Sequence, residues 1–449
     1  MKRLTLEATD ENILNSIKEN KFNRNQEVKG FVESLDLIEG NMFISLDARW
    51  GEGKTFYIRQ IQMTLDYLVR KNLIEKNEIF EQECIKMKAY FENTCLNNIE
   101  LNNIYFPIYY NSWLYDNHND PLLSLLFIII KKMDRFANTN NKESLIEKIK
   151  KLVSSISFTY NFGDLQMSLD FEKIINVFAE SDNLQSIIDA ENIRILVNNV
   201  LDEVLKENGN KLVIFIDELD RCRPTYAVEM LERIKHYFDN ENLIFVISIN
   251  KEQLIHTIST YYGSSFDSTG YLNKFFDLET YLPVFKNPIE RTMLFENYGT
   301  DQDYLIKISR GLARYYRLTL RELLSFKQIV EGVPESVDDY NAEGCCLSLF
   351  IPIIAILNIR DEEEKVRFLN GTSNIIEMLA NDIPEISKLM VTYGEGGIDA
   401  FEVGLDKFKI WYKYSFYGNV SQEHGELIRM ISGDLKRKSI NICDGLIRK

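Results

Sequence analysis

The amino-acid sequence predicts an α/β fold in which a parallel sheet is flanked by helices, with helical insertions and an all-helical C-terminal subdomain. Up to about residue 285, short apolar runs rich in β-branched and aromatic residues alternate with longer segments of helical periodicity. Strands connected in this way need helical crossovers, which are right-handed and make the strands parallel. Beyond Pro283 the pattern is helical to the end of the 449 residues.

Five apolar runs are the predicted strands of this sheet. They cover 41–47, 105–110, 211–217, 242–250 and 275–282. Two charged segments with helical periodicity lie between them and are interpreted as insertions outside the core, at 71–104 and 131–205. The predicted domains are a helical lead-in over 1–40, a core over 41–285 and a helical lid or partner-binding domain over 286–449.

The stretch that reads Ala-Arg-Trp-Gly-Glu-Gly-Lys-Thr follows the first predicted strand directly. A strand, a glycine-containing turn and a helix beginning with Lys and Thr are typical of a phosphate-binding loop, the Walker A motif. Backbone N–H groups of such a loop surround phosphate oxygens, Lys54 bridges the β- and γ-phosphates, and the Thr55 hydroxyl holds Mg²⁺. Ala48 stands where the first glycine belongs, which a tight turn tolerates if φ is negative. The predicted nucleotide contacts are Ala48, Arg49, Trp50, Gly51, Glu52, Gly53, Lys54, Thr55 and Phe56.

A second run, 211–221, is predicted to be a buried parallel strand that ends in a cluster of carboxylates, as in a Walker B motif. Asp217 at the tip of this strand is expected to hold Mg²⁺ through water, opposite Thr55. Glu218 beside it is placed to polarise a water molecule for attack on the γ-phosphate. Asp220 is interpreted either as a further catalytic carboxylate or as a cap of the next helix.

Two further interpretations concern residues near these motifs. Asn250 ends the next predicted strand, and ligands of a parallel sheet bind at the carboxyl ends of its strands. Asn250 is therefore either a residue that senses the γ-phosphate or orients the water, or an ordinary turn residue. Trp50 and Trp113 are expected to pack against other side chains rather than to stack on a base.

Charge, cysteine spacing and hydrophobic patterning disfavour several classes of protein. The formal net charge of −16 disfavours a protein whose main surface binds the backbone of a nucleic acid. The six cysteines form no Cys-x-x-Cys pair and the chain has four histidines, which favours reduced cysteines in the cytoplasm over a zinc site or a disulfide framework. No secretion signal is recognised, and the apolar runs 122–130 and 345–357 are shorter than a membrane span of roughly 20 residues.

Four segments of the chain resemble the KAP-type P-loop NTPases, within the larger division of NTPases that uses an additional catalytic carboxylate. The resemblance rests on 49–55, on 110–113 with 120–123, on 216–221 with Cys222 and Pro224, and on 273–276 with 282–283. It covers about 20–330. The chain departs from the family pattern at Ala48, and at Glu218, where the family more often has a second aspartate.

The resemblance implies an enzyme that binds ATP and Mg²⁺, hydrolyses ATP and couples this to a conformational switch in a multiprotein assembly. Members of the family commonly carry transmembrane helices between the two nucleotide motifs, and this sequence lacks them. The resemblance therefore implies a soluble, cytoplasmic, bacterial or phage-related member. Such proteins are associated with signalling scaffolds and with anti-phage defence. The resemblance therefore implies protein partners and is compatible with an oligomer.

Several arginines are candidates for contact with the nucleotide. Arg321 resembles the arginine that related ATPases bring from a C-terminal helical subdomain onto the phosphates, where a guanidinium group binds in a fork. An exposed arginine on a helix surface explains Arg321 equally well. Arg221 and Arg223 are alternative candidates for such a finger, and Arg24 is a candidate for a position near the base.

Three other functions are weighed from the residues. Helicases carry a run like 217–220, but such a nucleic-acid motor needs a second sheet domain, whereas 290–449 is helical in pattern and the chain is acidic. A GTPase would need a carboxylate in place of Gln253 to bind guanine, so ATP is favoured. A nucleotide-gated scaffold or interaction protein with little turnover is favoured by Ala48 and disfavoured by Glu218.

Overall fold

The computed structural model describes residues 7–20, 24–73, 78–117, 120–134, 195, 197–199, 201–202, 205, 211–282, 304–333, 341–418 and 424–447. The chain divides into two compact units, Glu7–Val284 and Phe285–Lys449 with Met1–Leu6. The first unit contains the sheet. The second contains helices, and no strand, in its described residues.

Five parallel strands form the sheet of the first unit, which confirms the predicted α/β fold. In chain order they are β1 Met42–Asp47, β2 Tyr105–Asn111, β3 Lys211–Asp217, β4 Leu243–Ile249 and β5 Leu278–Tyr281. They lie side by side in the order β2-β3-β4-β1-β5. Strand β4 therefore separates β1, which carries the first motif, from β3, which carries the second.

Helices of the first unit connect these strands and cover both faces of the sheet. Those in the described residues are α1 Asp10–Lys18, α2 Asn25–Leu35, α3 Lys54–Leu73, α4 Glu78–Phe91, α5 Ser112–Tyr115, α6 Pro121–Asp134, a 3₁₀ turn Leu219–Arg221, α7 Pro224–Tyr237, α8 Lys251–Tyr262 and α9 Ser268–Asn273. Successive side chains of a strand point to opposite faces. Accordingly Ile214 packs in a core with α6, α7 and α8, whereas Phe215 packs in a second core with α1, α2, α3 and α4.

The carboxyl ends of the strands lie at one edge of the sheet. In the register of the parallel pairs, Asn111 lies beside Asp217, and Asp47 lies beside Ile249 and Tyr281. The loops that leave these strand ends therefore meet at one edge. Both predicted motifs start there.

The structure corrects the prediction that 71–104 lies outside the core. Phe91 at the end of α4 is fully buried and stacks on Tyr67 of α3, with ring centroids 4.4 Å apart, and Leu96 is fully buried in the same core. The charged face of α4 dominates its sequence, so its few apolar residues did not indicate this packing. The second predicted insertion, 131–205, falls mostly outside the described residues.

The last strand is shorter than predicted. Phe275 and Phe276 were included in it because they are apolar, but they follow α9 in a turn and pack into the core from there. Strand β5 begins only at Leu278 and pairs with β1. Two apolar residues that precede a strand look the same in the sequence as residues of the strand itself. The sequence therefore does not give the first residue of β5.

The second unit is built around one apolar helix. Its described helices are α10 Tyr304–Tyr315, α11 Leu320–Glu331, α12 Ala342–Arg360, α13 Glu362–Leu369, α14 Ile375–Asp382, α15 Pro384–Tyr393, α16 Ala400–Tyr417, α17 Gly425–Ile428 and α18 Leu435–Ile447. Helix α12 is apolar on all sides because the other helices surround it. It is long and apolar enough for a membrane span, but 83% of that stretch is buried within the protein. Among the described residues no other helix meets the same test.

Candidate nucleotide-binding site

The loop between β1 and α3 has the backbone that the first motif predicts. Gly51 and Gly53 have φ angles of 85° and 90°, which residues with a side chain rarely adopt. Ala48 keeps a negative φ, and its N–H donates to the carbonyl oxygen of Ile249 at 3.1 Å. The turn therefore accommodates alanine at this position. Because α3 begins at Lys54, its first N–H groups have no acceptor within the helix and can bind an anion.

Lys54 lies within this loop and is only 8% exposed. Its ammonium group donates to the carbonyl oxygen of Ala48 at 2.6 Å. The pKa of Lys54 lies below its ordinary value because burial outweighs the negative charges of Asp220, Asp217 and Glu218, which raise it. The three carboxylates therefore favour the charged form, which is the form that attracts a phosphate.

Asp217 is buried at the end of β3, with 1% of its surface exposed. Tyr109 of β2 donates its hydroxyl to one carboxylate oxygen at 3.0 Å, and the N–H of Glu218 donates to the other at 3.0 Å. Burial raises the pKa of Asp217, and hydrogen bonds from Thr55 and Tyr109 oppose that shift. A divalent cation at this position would compensate the charge of the buried carboxylate.

Glu218 has an unusual backbone conformation. Its φ and ψ are 62° and 22°, in the left-handed region, although it has a full side chain. Such strain is concentrated at functional sites. Its carboxylate accepts from the Thr55 hydroxyl at 3.3 Å and from Nε of Arg221 at 2.5 Å. Burial and then Asp217 raise the pKa of Glu218, and Arg221 lowers it.

The two tryptophans near the site are exposed, and each contacts another side chain of the site. Trp50 is 44% exposed and donates its indole N–H to Asp220. Trp113 is 54% exposed, and the guanidinium of Arg221 lies 5.6 Å from its ring centroid. The alternative that Asp220 caps the next helix is wrong, because Arg223 is the residue at the N-cap of α7.

The family model of the KAP family P-loop domain matches residues 8–304 of this chain. The match spans the whole loop, the carboxylate strand and all five strands of the sheet. The chain belongs to the KAP family. It is also similar to an uncharacterized protein of Methanocaldococcus jannaschii, with 27% identity over 169 residues, which cover 30% of this chain and 86% of that protein.

A KAP P-loop domain implies a nucleotide and Mg²⁺, and the side chains at this edge of the sheet fit both. The glycine-rich loop and Lys54 suit phosphate oxygens, and the oxygens of Thr55 and Asp217 are hard ligands of the kind that Mg²⁺ prefers. No group of three or more His, Cys, Asp or Glu side chains suited to a metal is found among the described residues. Mg²⁺ needs no such group here, since it commonly takes one or two carboxylates together with phosphates and water.

Asn250 caps helix α8 in this KAP protein. Its side-chain oxygen accepts from the N–H of Gln253 at 3.4 Å. The next N–H, of Lys251, donates to Asp47 at 2.9 Å, which ties β4 to the end of β1. The side-chain oxygen of Asn250 therefore has the local capping role that is expected of a turn residue. A role of its amide nitrogen in sensing the γ-phosphate stays a prediction.

The candidate arginines have different surroundings. Arg223 donates its backbone N–H to the carboxylate of Asp116 at 3.3 Å and its guanidinium to the carbonyl oxygen of the same residue. Arg321 is exposed in the first turn of α11, in the helical unit, and its role at the phosphates stays a prediction. Arg24 donates to backbone carbonyl oxygens of the phosphate loop, and its predicted place near a base stays a prediction.

Sequence reasoning missed two residues of the site. Tyr109 was treated only as part of a strand, although its hydroxyl contacts Asp217, and its ring centroid lies 4.6 Å from the Arg59 guanidinium. Asp47 was treated only as the end of β1, although it accepts from the N–H of Lys251. The signal that could have found both is their place near the carboxyl ends of predicted parallel strands.

Proposed function

We propose that this KAP protein is a Mg²⁺-dependent ATPase. One observation carries the proposal: the Thr55 hydroxyl lies 3.3 Å from a Glu218 carboxylate oxygen. These residues are 163 positions apart and follow β1 and β3, two strands that are not neighbours in the sheet. Folding thus assembles a phosphate loop, a hydroxyl, a buried carboxylate and a second carboxylate at one edge, which are the parts that ATP hydrolysis requires.

Each part has a role in the proposed reaction. The loop N–H groups and Lys54 neutralise charge on the phosphates, and Thr55 and Asp217 hold Mg²⁺, which supplies further positive charge there. Glu218 orients a water molecule and accepts its proton as the bond to the γ-phosphorus forms and the bond to the ADP oxygen breaks. Burial raises the pKa of Glu218 toward neutral pH, and a pKa nearer the working pH suits a general base.

Steady-state hydrolysis by the purified protein tests this proposal. We expect many turnovers of ATP in Mg²⁺ and none in excess EDTA. GTP should be a poorer substrate, because Gln253 is neutral and the oxygen of Asn250 is occupied by the helix cap. Absence of turnover together with absence of ATP binding would contradict the proposal.

A nucleotide-gated scaffold with little turnover is the second candidate function. It is favoured by the ion pair of Glu218 with Arg221, since a carboxylate held by a guanidinium is a weaker base. Tight binding of ATP with less than one turnover would select this function. A nucleic-acid motor receives less support, because the net charge is −16 and the described part of the second unit has no strand.

The proposal extends to a conformational switch in a cytoplasmic multiprotein assembly, with anti-phage defence as its setting. In the ATP state, Arg321 would contact the γ-phosphate and draw the helical unit closed as a lid. A ligand shifts such an equilibrium only by its different affinities for the two states. Hydrogen exchange of 304–447 is therefore expected to slow with ATP relative to ADP and to the free protein. Identical exchange in all three states would make this region a static platform.

A further inference from the structure

Arg24 is a buried cation that contacts the phosphate loop from the N-terminal side of the chain. It immediately precedes α2, is 2% exposed, and its guanidinium lies 5.9 Å from the ring centroid of Tyr57. One terminal nitrogen donates to the carbonyl oxygen of Gly53 at 3.2 Å, and the other donates to that of Glu52 at 3.2 Å. A single side chain thus contacts two successive peptide groups of the loop. The Gly53 carbonyl oxygen also accepts from the N–H of Tyr57 at 3.1 Å, so Arg24 and the first hydrogen bond of α3 hold this peptide group together.

The geometry of a trans peptide determines where the N–H groups next to these two carbonyl groups point. In a planar trans peptide the C=O and the following N–H point in opposite directions. When the carbonyl groups of Glu52 and Gly53 point to Arg24, the N–H groups of Gly53 and Lys54 point away from it. Gly53 can take part because glycine tolerates its φ of 90°. The N–H of Lys54 has no acceptor within α3, since that helix begins there.

We propose that Arg24 is a positioning residue that aligns the N–H groups of Gly53 and Lys54 toward the β-phosphate before the nucleotide binds. This inference deepens the proposed function and rests on it. It makes Arg24, which lies in the segment that precedes β1, part of the nucleotide site. Arginine suits the task because its planar fork spans two acceptors, whereas the ammonium group of lysine is a single point.

Two variants and a matched control test this proposal. Arg24→Ala removes both contacts, and Arg24→Lys keeps the charge but loses the fork. The control is Asn25→Ala, because Asn25 is equally buried and donates to the carbonyl oxygen of Ile17 at 2.7 Å, away from the loop. Affinities for ATP and ADP are measured by calorimetry in Mg²⁺. The parent is measured first, and its failure to bind either nucleotide would overturn the proposed function itself.

For Arg24→Ala we expect the affinities for ATP and ADP to fall together by roughly 10- to 100-fold, because poorly aligned hydrogen bonds to a charged phosphate lose affinity of about this size. Arg24→Lys should lie between Arg24→Ala and the parent. The value of kcat at saturating ATP should change little while KM rises, and millimolar guanidinium should restore part of the affinity of Arg24→Ala only. A general loss of folding would move kcat and would not respond to guanidinium. The proposal is overturned if Arg24→Ala binds both nucleotides as the parent does, or if Asn25→Ala loses as much affinity.

Discussion

Lys54→Ala is expected to reduce the affinity for Mg²⁺·ATP by roughly 100-fold or more, because it removes a buried cation from the centre of the phosphate loop. The ammonium group of Lys54 already lies within the loop, 2.6 Å from the carbonyl oxygen of Ala48. In the variant, the carboxylates of Asp217, Glu218 and Asp220 remain without this compensating charge and repel the phosphates. Isothermal titration calorimetry of variant and parent measures the effect.

Lys71→Ala is the matched control for that experiment. Lys71 lies on the same helix α3, is exposed, and donates to the carbonyl oxygen of Asn97 at 2.9 Å, outside the site. Its removal changes the net charge as Lys54→Ala does, but it should leave the affinity for ATP unchanged. Equal affinities of Lys54→Ala and the parent would contradict the assignment of 48–56 as the phosphate loop.

Glu218→Gln is expected to bind ATP normally and to hydrolyse it roughly 100-fold more slowly or worse, because an amide keeps the size of the side chain but cannot accept the proton. The comparison uses kcat in the steady state, with ATP affinity measured separately. Glu232→Gln is the control, since Glu232 accepts from the hydroxyls of Tyr262 and Tyr271 on another surface. An unchanged kcat in Glu218→Gln would assign the role to Asp220 or to no carboxylate.

The pH dependence of kcat gives a second readout for Glu218. Burial and Asp217 raise its pKa above that of an ordinary glutamate, which is about 4.3. A general base must be ionised, so kcat of the parent should fall as the pH is lowered through this raised pKa. The residual activity of Glu218→Gln should lack that fall. If both proteins show the same acid limb, the titrating group is a different one.

Local sequence patterns were enough to predict most of the secondary structure and the type of chemistry at the site. The run Lys211–Asp217 predicted a buried strand because each of its apolar side chains must leave water, and a strand covered on both faces needs no alternation. Glycines at 51 and 53 predicted a loop that side chains would strain, and their φ angles agree. These properties depend on neighbours within a few residues, so a short stretch of sequence is enough to predict them.

Contacts between distant parts of the chain were not available from such patterns. The sequence did not indicate that Trp50 and Trp113 are exposed, because an aromatic residue gives the same local pattern whether it lies in a core or at the rim of a site. The contact of Tyr109 with Asp217 joins residues 108 positions apart and follows from the register of β2 with β3. Sequence periodicity sets no register between strands.

The sequence by itself determined that this protein carries a phosphate loop, a carboxylate pair at the end of a buried strand and a helical C-terminal region, since each depends on residue type and short spacing. Only the tertiary structure decided that β4 lies between β1 and β3, that Thr55 meets Glu218, and that Arg24 holds the loop from outside. The physical reason is that strand order and side-chain contacts minimise the exposed apolar surface of the whole unit. That requirement couples residues far apart in the chain, and no short stretch of sequence contains it.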